Sequence, residues 1–95
     1  RKFPDAYVIE LARSMLGTQL SERSQAGYRV AKVRTDSAAA RAGIQRGDIV
    51  VRIGGQILTG PDEFRRAVLG LRGKYRALLV VERGGRHYPV TVSLL

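Results

Sequence analysis

The chain of 95 residues has no cysteine, which excludes a disulfide framework and any thiolate metal site and leaves the redox compartment open. Its single histidine, His87, is too little for histidine ligation. The longest apolar runs, such as Ala77 to Val81, are far short of the roughly 20 residues that cross a bilayer, so no transmembrane segment is expected in this fragment. A positively charged leader with an apolar stretch and a small-residue cleavage site is also missing, and the chain starts on Arg1 rather than Met. It therefore reads as a domain excised from a longer protein. No serine lies in a Gly-x-Ser-x-Gly setting, and no glycine loop carries the lysine of a phosphate-binding pattern. Acidic residues are few, and the pair Asp62-Glu63 opens a helix, where the helix dipole accounts for it. The expectation is a non-catalytic fragment with no catalytic residues, no cofactor and no metal.

Positive charge is plentiful. Seventeen Lys and Arg stand against eight Asp and Glu, a net charge of +9, with a pI near 11.1. That balance is a recognised footprint of nucleic-acid binding. Here, however, the cations are scattered over every element, with no dense run and no aromatic interleaving of the kind that stacks bases. The expectation is a solvated basic surface that steers acidic peptides or anionic surfaces toward it at low salt, with no nucleic-acid partner.

Ninety-five residues make one modest core. Asp5 to Leu16 reads as a helix, with Pro4 and Asp5 as start signal and Val8, Leu11, Ala12 and Met15 on one stripe. Gly17 to Leu20 reads as a short strand, Ser21 to Gly27 as a polar loop, and Tyr28 to Arg34 as a second strand. In that second strand Val30 and Val33 break alternation, through either a bulge or burial of both faces. From Ser37 to Gly55 a capped helical turn, a glycine stop, a second glycine turn and a buried strand follow one another. Asp36 or Ser37 is the cap, Gly43 the left-handed stop, Ile44 a core residue, and Gly47-Asp48 the turn before Ile49, Val50, Val51 and Ile53. Pro61 to Leu71 is a helix, with Thr59 and Asp62 resembling a capping box. Its apolar stripe is Phe64, Ala67, Val68 and Leu71, while Arg65, Arg66 and Arg72 face away. Two strands, Tyr75 to Arg83 and His87 to Leu94, meet at Gly84-Gly85, and Tyr88, Val90, Val92 and Leu94 form the buried face of the last.

The run Ser37-Ala-Ala-Ala-Arg-Ala-Gly-Ile-Gln-Arg-Gly-Asp-Ile-Val resembles the PDZ domain in the version found in bacterial HtrA/Deg-type serine proteases. Ala38 stands where many members carry proline. The resemblance covers about Met15 to Leu95, which divides the chain into an N-terminal linker or helix over 1–14 and a PDZ domain over 15–95. It implies an α+β fold: a partly open β-barrel or sandwich of five to six short strands, with two helices plus the N-terminal one.

The resemblance also implies a function, the binding of C-terminal or extended peptides by strand addition, with a helix as the other wall of the groove. Met15-Leu16-Gly17-Thr18 resembles the carboxylate-binding loop, with the amides of Leu16, Gly17 and Thr18 as donors. A register in which Arg13-Ser14-Met15 forms the loop stays open beside it. Gln19, Leu20 and Ser21 would offer the strand edge, and Leu16, Thr18, Leu20, Phe64, Val68 and Leu71 would wall the apolar pocket. The implied parent is a trypsin-like serine protease of the bacterial periplasm or cell envelope. Its partners would be C-termini of unfolded or envelope proteins and its own protease domain. A PDZ module of another processing protease or of a secretion scaffold is the alternative within the fold. A basic nucleic-acid-binding domain is the alternative outside it.

Overall fold

The computed structural model describes the backbone of residues 5–23 and 27–94, and the side chains of 10–14, 16–18 and 27–94. Helix α1 (Asp5–Leu16) has the expected bounds; its start signal at Pro4 lies outside the described residues. It passes into strand β1 (Thr18–Arg23) through a single residue. Gly17 has φ +78°, a left-handed conformation that costs any residue with a β-carbon. Its N–H donates to the Arg13 carbonyl at 2.8 Å, while its own carbonyl accepts from Arg34 N–H at 2.9 Å.

Strand β1 runs longer than expected. Ser21, Glu22 and Arg23 belong to it and not to the loop, because β2 (Tyr28–Val33) offers partners as far as the Arg23–Tyr28 pair. Residues 24–26 of the expected loop lie outside the described residues. Gln19 pairs with Lys32 and Leu20 with Val30, so two residues of β2 are spent against one of β1 and Ala31 is the extra. The broken alternation is therefore a bulge, which lets both buried Val30 and half-buried Val33 pack on the core.

Helix α2 (Ala38–Arg41) is capped by Ser37, whose Oγ accepts from Ala40 N–H at 3.1 Å. The other candidate, Asp36, sits instead at φ +62° in the turn before it. At the far end Gly43 N–H reaches the Ala40 carbonyl and Ile44 N–H the Ala39 carbonyl, the paired bonds that a left-handed glycine makes possible. Ile44 then drops into the core.

Strand β3 (Ile49–Ile53) turns at Gly54-Gly55 into the two-residue β4 (Gln56–Ile57). Helix α3 (Pro61–Leu69) begins at Gly60, which has no side chain to cap it. The expected Thr59/Asp62 box is one position too early, and the first turn is favoured instead by Asp62 and Glu63 near its positive end. Arg65 does not face away as expected: its side chain is only 15 % exposed and pairs with Asp62 at 2.6 Å.

Strands β5 (Arg76–Arg83) and β6 (Arg86–Ser93) form a hairpin about Gly84 and Gly85, at φ +60° and +79°, the two positive angles a tight hairpin turn demands. Val92 is buried and Val90 and Leu94 half-buried, but Tyr88 is exposed. It shares a rung and a face with Val81, which is fully buried, but stands on the outermost strand, and the Arg83 guanidinium lies over its ring at 5.8 Å. Counting rungs from the turn puts the nitrogen of Pro89 on the outer side of β6, where no ladder bond is lost.

The sheet is antiparallel and open, in the order β1-β2-β3-β5-β6 with β4 beside β3. It is the α+β arrangement expected, without closure into a barrel. Asp48 orders the turn after Gly47 by accepting from Gln45 N–H at 2.9 Å. It also takes a two-pronged contact from Arg83, at 2.8 and 2.7 Å, while Arg83 reaches the Gly43 carbonyl at 3.0 Å. Burial pushes the Asp48 carboxyl up. The hydrogen bonds from Arg83 and the Gln45 amide, with the charge of Arg83, outweigh it and hold the group below the usual carboxylate range.

Candidate functional site

Strand β1 is the first strand in the sheet order, and among the described residues it pairs only with β2, with no strand on its other edge. The bond from Arg34 N–H to the Gly17 carbonyl makes that rung a bonded one. The next rung, Thr18 with Val33, then has its N–H and C=O turned away from β2, because antiparallel rungs alternate. The Thr18 backbone is thus turned to the side of β1 away from β2, where it is covered and not open to solvent. Thr18 as a whole, backbone included, is 2 % exposed, and its Oγ1 has no hydrogen-bond partner. A buried hydroxyl left this way costs about 1–3 kcal/mol.

Helix α3 packs against α1 and β4. Its Phe64 ring stacks on Tyr28 of β2 with centroids 4.3 Å apart, which pins the first half of the helix over the sheet. Four of the expected pocket residues, Leu16, Phe64, Val68 and Leu71, come together here, but as members of the core. Leu16 is 1 %, Phe64 6 %, Val68 0 % and Leu71 5 % exposed, all in one cluster with Ala12 and Leu58. Leu71 falls just past the end of α3, in the turn that follows. Of Met15, Gln19 and Leu20 the backbone is described and the side chains lie outside the described residues.

Neither register of the expected carboxylate-binding loop exists as a loop. Arg13, Ser14, Met15 and Leu16 are the last turn of α1, so the amides of Met15 and Leu16 are spent on the i−4 carbonyls of the helix. Gly17 N–H continues that pattern to Arg13. Of the three expected donors only Thr18 has its amide turned outward. The apolar positions of α1 explain the difference: Ala12 and Leu16 are buried four residues apart, and keeping both in the core requires helix to the end. α1 packs against both β1 and α3.

A cleft of about 670 Å³ opens beside the joint between α1 and β1, its lining including Arg13, Gly17, Thr18, Lys32 and Arg34. Arg13 is not the lone solvated side chain expected, since Glu10 one turn back pairs with it and holds its proton more tightly. Lys32 and Arg34 are exposed. Sequence reasoning missed these two as a pair. Their two-residue spacing on a strand was a usable signal, though only the α1 to β1 joint brings them to Thr18. His87 is at the surface as expected, 62 % exposed and 3.6 Å from Glu82.

A family model described as PDZ domain matches residues 29–83. Among solved structures, the HtrA3 PDZ domain bound to a phage-derived ligand is 28 % identical, with TM-score 0.67, covering 82 % of this chain and 81 % of that one. The PDZ domain of EpsC from Vibrio cholerae is 26 % identical with TM-score 0.69, over 94 % of this chain and 92 % of its own. A protein of the aminopeptidase N family from Idiomarina loihiensis, 20 % identical with TM-score 0.67, shares the fold.

Proposed function

This chain belongs to the PDZ domain family, and from that premise we propose that it is a peptide-binding module, not a catalyst, which takes an extended segment as an added strand along β1. The observation that carries this reading is that β1 ends the described sheet and pairs with β2 alone. Main-chain pairing supplies affinity in such a complex, and side chains of alternate residues supply selectivity. The HtrA3 domain, whose structure holds a phage-derived ligand, supports the same use of this fold. One short strand buries little area and is ordered on binding, so the dissociation constant should be on the order of micromolar.

We further infer that the parent protein is an HtrA-type serine protease of the bacterial periplasm or envelope, in which this module presents unfolded protein segments to the protease domain. The run from Ser37 to Asp48 and the likeness to HtrA3 support that parentage.

The test of strand addition is a titration of peptides carrying single backbone N-methyl groups. Methylation at alternate positions should weaken binding by about tenfold, and methylation at the positions between should leave it unchanged. Equal tolerance of methylation everywhere, or no saturable binding, would overturn the reading.

A further inference from the structure

Strand β5 outlasts the strand beside it. β3 pairs with β5 from Glu82 only as far as Leu79, opposite Ile53, and then turns away at Gly54-Gly55, whereas β6 stays paired down to Arg76. Arg76, Ala77 and Leu78 thus have a strand on one side only among the described residues. Rungs alternate from the closing pair Arg83–Arg86, and the bond from Leu94 N–H to the Tyr75 carbonyl at 2.8 Å fixes the same parity at the far end. Arg76 and Leu78 therefore turn their N–H and C=O away from β6, toward the side that β3 has left. The Leu78 carbonyl accepts from Gly54 N–H at 2.7 Å, while the Arg76 backbone has no strand beside it there. Both residues reach the surface: Leu78 is 53 % exposed, and Arg76 is exposed as well.

A cleft of about 480 Å³ lies at this step, lined by the β3–β4 turn, the end of α3, Lys74 and the same three residues of β5. Its charge is of one sign. Arg66, Lys74 and Arg76 line it, and no carboxylate does among the described residues. Glu63 shares Arg66 at 3.2 Å, but Lys74 and Arg76 are exposed and have no ion-pair partner among the described residues. The sequence on both sides explains the imbalance: Phe64 to Val81 holds five cations and no acid, and Ile49 to Pro61 one cation and no acid. Cations gathered without a counter-charge repel one another, and an anion among them relieves that repulsion. The negative end of α3 would oppose an anion, but the Nε of Arg72 caps its Leu69 carbonyl at 3.2 Å. The rest of the lining is largely apolar, with buried Ile53, Leu71 and Ala77 beside the half-exposed Leu78.

We propose that this cleft is a second docking site, independent of strand addition at β1, and that its occupant is an acidic segment of a partner protein with an apolar residue beside its carboxylates. The carboxylates meet Arg66, Lys74 and Arg76, the apolar side chain covers Leu78 and the apolar part of the lining, and an extended backbone finds the N–H and C=O of Arg76. A lipid surface would meet the cations but is too flat to reach into a concave site.

The test is an amide NMR titration of the labelled chain with a capped peptide of alternating Glu and Leu, at moderate salt, where long-range attraction is largely screened. The Gly54, Arg76 and Leu78 amides should shift together and saturate, and the same peptide with Gln for Glu should bind about tenfold more weakly. The double variants K74E/R76E and K32E/R34E change the net charge equally and alter only exposed positions. The first should weaken binding about tenfold, and the second by less than about twofold. Leu78→Ser, which keeps every charge, should weaken it a few-fold. Equal losses in the two double variants, equal affinity for the Gln peptide, or a titration that leaves these three amides unmoved overturns the proposal. So does binding of phosphatidylglycerol vesicles that K74E/R76E abolishes, without saturable peptide binding, which would make the patch a membrane contact.

Discussion

The β5–β6 hairpin pairs eight residues on each strand in unbroken register around two left-handed glycines, whereas β1 and β2 lose register twice within six-residue strands. The hairpin half is also clamped, through Arg83 on β5 and Asp48 ahead of β3. The β1 half hangs on a one-residue joint and a single neighbouring strand. A bulge raises the local twist and turns an edge away from its neighbours. The irregular half is the one that ends the sheet at β1, and the regular half carries the longest unbroken pairing.

The largest expected effect falls on the joint. A Cβ built on Gly17 would lie 2.2 Å from the Cβ of Ser37, and the φ of +78° adds backbone strain. Gly17→Ala should cost about 2–5 kcal/mol in denaturant unfolding. A loss under about 1 kcal/mol would mean that the joint yields easily and that the β1 half is looser than the contrast implies. Next comes the clamp. Asp48→Asn removes the charge from a buried pair of hydrogen bonds and should cost about 1.5–3 kcal/mol at neutral pH. Because the folded carboxyl is held below its ordinary value, its contribution is present above the unfolded value, about 3.9, and is lost as the pH falls through the folded one. Unfolding curves down the acid range should show the wild type losing its advantage over the Asn variant. An advantage that persists unchanged in acid would detach Asp48 from the clamp. The smallest effect is at the α2 cap, where Ser37→Ala should cost about 1 kcal/mol. A much larger loss would show that Ser37 supports Gly17 as well as capping α2.

The hairpin, the α2 unit and the bounds of α1 were legible because each rests on a local rule: paired glycines at a turn, a serine cap, a left-handed stop, a helical stripe. The Thr59/Asp62 box misled because Thr59 fits the local pattern as well as Gly60 does, and only the path of the chain into α3 chooses between them. Tyr88 misled because period two reports a face and not how far each residue on that face is covered. Around the candidate site, the sequence marked where β1 begins but not whether the residues before it are helix or loop. The Leu16-Gly17-Thr18 pattern marks the start of the edge strand, yet whether Met15 and Leu16 stay helical depends on burying Ala12 and Leu16 against α3, a long-range contact with no local signature. The Arg83 clamp on Asp48, 35 residues apart, was hidden for the same reason.

Pro89 sits in the middle of the other outer strand with its nitrogen turned outward. A second chain laid along β6 would find a donor missing at the centre of the ladder, so pairing there stops after a few residues. The missing donor makes β6 a poor template for edge-to-edge pairing between copies of the domain.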